Sequence, residues 1–196
     1  MRILASLAVA SLMATALAEV DLTPHYYTVS LGGSQLRRCY FADGDKKFAV
    51  TVDQETEIVS EGKGALFRFS TLPQASIQLK TSPVPAKSGF GQETLTAYNK
   101  AAQSLIDPTA REVSSEAGGL DVLPFNGWRS YRINFAYSIA GSRIRQSYTF
   151  MNMSAEQQVL IVVTAREKDF TEVASRADDI FRRWHRILPG DEKELN

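Results

Sequence analysis

An α+β fold, an antiparallel β-sheet flanked by helices, is what this sequence predicts, and three stretches predict it. Between Tyr131 and Phe150 apolar and polar residues alternate with the period of two that sends successive side chains to opposite faces of a strand. Val159 to Val163 is an unbroken apolar run, suited to a central strand covered on both faces. From Phe170 to Leu188 apolar residues recur at spacings of three and four, the stripe of one amphipathic helix.

Taken from the start, the first 18 residues read as a secretory signal peptide. Arg2 makes the positive n-region, Ile3 to Leu12 the short apolar core, and Ala16-Leu17-Ala18 the small-x-small cleavage site. The run is too short and too broken by Ser and Thr for the ~20 residues of a membrane span. The mature chain is therefore expected to be a single domain, residues 19–196, with no membrane span, exported to the periplasm or the extracellular space. Cleavage removes one basic residue, Arg2, leaving 21 basic against 22 acidic. Such a balance points to no nucleic-acid partner. Cys39 is the single cysteine, so no internal disulfide holds the fold, and its strand context predicts a buried, inert thiol.

Short strands come next: Tyr26 to Leu31, Gln35 to Phe41, Phe48 to Val52, Glu55 to Val59, Leu66 to Phe69 and Ile77 to Lys80, separated by turn residues. This is antiparallel meander. Ser82 to Gln92, with two prolines and two glycines, is the most loop-like stretch, and Phe90 between glycines is expected at the surface. Glu93 to Ile106 predicts a helix with Leu95, Tyr98, Ala102 and Leu105 along one side, closed by Pro108. Arg111 to Glu116 predicts a strand ended by Gly118-Gly119, and Leu123 to Gly127 a turn. The hairpin that follows is expected to fold about Gly141-Ser142, with Ile139 opposite Ile144, Phe135 opposite Tyr148 and Ile133 opposite Phe150. The last helix is expected to start at Asp169 with a capping box to Glu172 and to stop at Pro189-Gly190. It would lie across the apolar face of the hairpin, with Trp184 against Phe135 or Tyr148.

The chemical inventory is sparse. The two histidines, His25 and His185, lie far apart, and His185 sits among arginines at the expected helix end. No G-x-S-x-G elbow, H-E-x-x-H helix, paired C-x-x-C or P-loop occurs. Asp43 and Asp45 flank a glycine, but the later ligands of a calcium loop are missing, so no metal and no cofactor is expected. Asn152-Met153-Ser154 matches a glycosylation sequon. Two surfaces are candidates for binding. One is the polar side of the hairpin, where Arg132, Asn134, Arg143 and Arg145 project together as donors for an anionic partner, unless helix covers them and acids pair them. The other is the loop carrying Phe90.

The order of elements resembles the PsbP-like fold, a superfamily that includes bacterial DcrB-like exported proteins. Asn126-Gly127-Trp128-Arg129-Ser130-Tyr131-Arg132 leading into the hairpin, Ile144 to Tyr148, the strand Val159 to Val163 and the helix from Phe170 to Trp184 carry the resemblance. It implies an α/β/α sandwich that acts by binding or assembly in the cell envelope rather than by catalysis, with a protein partner. A hydrolase-like enzyme with an unrecognised site and a small-ligand carrier are the rival expectations. Buried carboxylates near Ser82 to Gln92 would favour the enzyme, and an apolar cavity the carrier.

Overall fold

The computed structural model describes residues 20–31, 34–43, 46–123 and 128–188. The expected leader, its cleavage site, Gly44-Asp45 and the end at Pro189-Gly190 lie outside them. Strands β1 (Asp21–Leu31), β2 (Ser34–Asp43) and β3 (Lys46–Val50) pair in sequence, each antiparallel to the last. Next come β4 (Thr56–Glu61), β5 (Gly64–Phe69), β6 (Ser76–Thr81), helix α1 (Gln92–Gln103) and β7 (Arg111–Leu120). Strands β8 (Ser130–Ile139), β9 (Ser142–Asn152) and β10 (Gln158–Arg166), helix α2 (Phe170–Arg182) and the short β11 (His185–Ile187) complete the order.

The strands form two antiparallel sheets rather than one. The large sheet runs β4-β5-β6-β10-β9-β8-β7 and the small one β1-β2-β3-β11. β10 is central, paired with β9 on one side and β6 on the other, which is why nearly all of it is buried. On one face of the large sheet, Tyr98 and Ala102 of α1 pack with Tyr131, Ile133, Phe135, Tyr148 and Phe150. On the opposite face, Ile161, Val163 and Phe67 pack with α2 and with Phe41, Phe48 and Val50 of the small sheet.

Several expectations are corrected. The hairpin turn is Ala140-Gly141, both residues at positive φ (48° and 77°), so Ile139 faces Ser142 and Phe135 faces Gln146. Gly141 fills the second position of a type I′ turn, not the first. The true register differs by two residues, an even shift, so each side chain keeps its expected face while changing its neighbour.

Asp169 does occupy the N-cap of α2, but its side chain makes no cap hydrogen bond, and Glu172 reaches Arg176 instead of closing a capping box. The helix ends at Arg182. The stripe continues past it because Trp184 and Ile187 keep helical spacing, yet His185 to Ile187 pair with Ala49 to Lys47 of β3. His185 is therefore a strand residue, exposed, its Nδ1 2.9 Å from the Arg183 carbonyl.

α2 also lies on the face away from Phe135 and Tyr148. Trp184 is 1% exposed and packs edge-on to Phe41 and Phe48, at centroid distances of 5.9 and 6.1 Å. Gly118-Gly119 falls inside β7 rather than ending it, and Leu105 lies beyond α1 and is exposed.

Candidate functional site

Each arginine of the polar hairpin face meets a carboxylate. Alternation along β8 and β9 turns Arg132, Asn134, Arg143 and Arg145 away from the α1 side, toward α2 and β7. Arg132 forms a two-pronged pair with Asp178 of α2, its Nη2 2.5 Å from Oδ1 and its Nη1 3.2 Å from Oδ2. Its Nε donates to Thr149 Oγ1 at 2.8 Å. Arg145 pairs with Glu116 of β7, and its guanidinium lies over the Phe170 ring, 4.9 Å from the centroid. Arg143 stands 3.6 Å from Glu112, also on β7. Asn134 is half-buried opposite Ser147. These arginines brace two neighbouring elements against the hairpin. Arg132 is covered by α2, while Arg143 and Arg145 stay partly exposed beside β7, each paired with an acid.

Phe90 is 6% exposed, not at the surface. It packs 5.2 Å from the Tyr98 ring in the cluster under α1. The loop around it holds a neutral hydrogen-bond network rather than carboxylates. Ser82 Oγ donates to Gln158 Oε1 at 2.6 Å, and Gln158 Nε2 donates to Tyr98 Oη at 3.0 Å and to Asn152 Oδ1 at 2.7 Å. With no ionised group in the network, its chemistry is that of a structural lock.

A further surface was not singled out by sequence motifs. Around β4, one of the two edge strands of the large sheet, lies an open groove of about 1200 Å³ that reaches across to the small sheet. Tyr26, Arg38 and Cys39 line it from the small sheet, and Asp53 to Glu61, Arg68 and Gln78 from the large one. Ser70 N–H donates to the Glu55 carbonyl, and the β4–β5 turn closes on Glu61 opposite Gly64. Hydrogen-bonded pairs alternate along an antiparallel ladder, so Thr56, Ile58 and Ser60 turn their backbone groups outward. The Tyr26 hydroxyl donates to one of these, the Ile58 carbonyl, and so ties the two sheets together across the groove.

At one end of the groove Arg176 gathers three acids. It donates to Glu55 at 3.2 Å and Glu172 at 2.8 Å and stands 3.7 Å from Asp53. Burial pulls its pKa down, but the bonds from Glu55 and Glu172 outweigh that and hold it above the usual value. Farther along, Glu57 lies directly opposite Arg68. The Lys80 ammonium, half withdrawn from water, is held below the usual lysine pKa by burial, a shift only partly offset by Glu61. The groove thus offers alternating charges beside a partly occupied backbone edge, where the Asp53 carbonyl accepts the Thr56 N–H and the Tyr26 hydroxyl donates to the Ile58 carbonyl, and a buried thiol, Cys39, 2% exposed, behind them. Among the described residues no cluster of His, Cys, Asp and Glu is placed to hold a metal ion. No described helix is long and apolar enough to cross a membrane.

No protein-family model and no curated protein sequence matches this chain. Solved structures do. The solution structure of cyanobacterial PsbP from Synechocystis sp. PCC 6803 matches with a TM-score of 0.53 at 13% identity, over 80% of this chain and 96% of that one. LpqN of Mycobacterium tuberculosis, described as involved in cell envelope biogenesis, matches at 0.49 and 9%, over 84% of this chain and 92% of that one. A Pseudomonas aeruginosa protein described as of unknown function and a putative regulator matches at 0.40 and 10%, over 84% and 97%. At these identities the likeness is one of fold, and the PsbP comparison carries it: the chain has a PsbP-like fold.

Proposed function

We propose that this PsbP-fold chain is a non-enzymatic binding or assembly-support protein, working after export, that engages a polypeptide partner of the cell envelope along the groove at β4. One observation carries the reading: an open groove of about 1200 Å³ flanks an edge strand whose backbone turns outward at Thr56, Ile58 and Ser60, with the Thr56 N–H already donated to the Asp53 carbonyl and the Ile58 carbonyl already accepting from the Tyr26 hydroxyl. Small-molecule pockets usually span roughly 300–1,000 Å³ and enclose their ligand. A larger, open trough beside a strand edge suits an extended segment, which gains affinity from main-chain hydrogen bonds and selectivity from side chains at alternate positions. The charged pairs along the groove supply that selectivity.

The hairpin arginines make a poorer receptor. An anionic partner at Arg132, Asn134, Arg143 and Arg145 would have to displace Asp178, Glu112 and Glu116, and a binding site gains little by exchanging one carboxylate for another. Phe90 is committed to the core. The exported destination rests on the leader pattern of Arg2 to Ala18.

The test is site-specific photocrosslinking in the native cell. A crosslinking residue at Ser60 or at Gln78, both on the groove, should give one shared adduct band, and the same residue at the exposed Glu156 should not. Adducts formed equally well from Glu156, or none from the groove positions, would overturn the reading. Mass spectrometry of the same material should find Glu19 at the N-terminus, and an abundant form starting at Met1 would remove the export step.

A further inference from the structure

β7 stands apart from every other strand of the large sheet. None of its described side chains is buried, whereas each of the other six strands places residues in a core cluster. It is nonetheless moored at both ends. Ile106 and Ala110 before it pack on the α1 side, and Leu123 after it is buried on the opposite face. Between the moorings its ladder to β8 breaks register twice, between Arg111 and Ser114 and between Glu116 and Gly119. Glu112, which has a Cβ, sits at φ 55°.

Polar ties hold what remains. Ser114 Oγ donates to the Ala136 carbonyl at 3.2 Å, and Ser138 Oγ donates to Glu112 Oε2 at 3.1 Å. The ion pairs Arg143–Glu112 and Arg145–Glu116 complete them. Gly118 runs so close to β8 that a Cβ there would lie 2.0 Å from the Arg132 carbonyl oxygen.

We propose that β7 is a strap that opens as a unit while the rest of the fold stays closed, with the Arg143–Glu112 and Arg145–Glu116 pairs setting how often it opens. Strands that bury apolar surface are released only by unfolding the core, but a strand held by surface hydrogen bonds and ion pairs opens at much lower cost. Opening bares the backbone edge of β8. The moorings on either side return the strap to register.

Hydrogen exchange followed by mass spectrometry tests this on the full chain. Amides of β7, and those of β8 that face it, should exchange at least roughly tenfold faster than those of β9 and β10. Roughly 1 M NaCl shortens the screening length to about 3 Å. That salt, or Arg143→Gln with Arg145→Gln, should speed exchange in β7 by roughly two- to tenfold and leave β10 unchanged. Gly118→Ala should release β7 more completely, again with β10 protected. The proposal is overturned if β7 in the unaltered protein exchanges as slowly as β10. It is also overturned if salt or the variants accelerate β7 and β10 together, which would mean that the strand opens only with the whole fold.

Discussion

Replacing Trp184 with alanine removes the side chain that joins the small sheet to α2. The indole is 1% exposed and touches Phe41 of β2, Phe48 of β3 and Phe181 of α2, with centroids 5.9, 6.1 and 5.7 Å away. Truncation of a buried aromatic costs ~3–5 kcal/mol, because lost transfer energy is compounded by the cavity left behind. The walls of that cavity belong to the small sheet and to α2, neither of which can close it alone, so the upper half of the range is expected. Domains of this size hold only about 5–15 kcal/mol of stability. With a urea slope of about 2 kcal/mol per molar, a loss of about 4 kcal/mol moves the midpoint down by about 2 M. Arg183→Ala, one residue earlier and exposed, should shift stability by no more than about 0.5 kcal/mol. Urea melts followed by tryptophan-independent circular dichroism separate the two. Similar small shifts for both would refute the packing of α2 against the small sheet.

The other predictions concern charge. Arg132→Gln should cost about 1.5–3 kcal/mol, since it strips the hydrogen bonds from a mostly buried Asp178, whereas Arg143→Gln, whose partner Glu112 is 76% exposed, should cost at most about 1 kcal/mol. Equal, small effects in denaturant melts would mean that Arg132 is solvated. Tyr98, Tyr137 and Tyr148 are each pushed above the ordinary tyrosine pKa of 10.0, in every case chiefly by burial. The unfolded chain ionises first, so the stability held by these neutral phenols is intact below about pH 10 and is lost as the pH climbs from there through their folded values. Melting temperature should therefore fall steeply above about pH 10, with tyrosinate absorbance from these three appearing only as the fold is lost. A flat profile through that window would sink the assignment.

Much of the fold was legible because strand periodicity is local. β8, β9 and β10 stand where alternation and the run Val159 to Val163 put them, and the six N-terminal strands follow their turn residues. What failed depended on partners distant in sequence. Ile187 keeps helical spacing with Trp184, and only β3, more than a hundred residues earlier, makes that segment a strand. The arginine face reads as open from β8 and β9 alone, since Asp178, Glu112 and Glu116 come from other elements. α2 chooses that half-polar face because β5, β6 and β10 supply the apolar remainder of it, through Phe67, Ile77 and Ile161. The groove escaped notice for the same reason. It is made by two sheets meeting, and no single stretch of sequence records it.

The central position of β10 also bears on the order in which the chain folds. Its pairing with β9 closes a hairpin through the short Met153–Gln157 turn, and β9 already pairs with β8 through two residues. These contacts form with little loop entropy to overcome. Pairing β10 with β6 spans the whole of α1, β7, β8 and β9, with Ser82 meeting Gln158 across 76 residues. The β8–β9–β10 unit is thus the natural nucleus, and the arrival of the β4–β5–β6 meander on its far edge is the slow, nonlocal step. Until that step, Leu160 to Val163 offer an apolar edge with no strand beside it, and a chain held there is the species most prone to self-association.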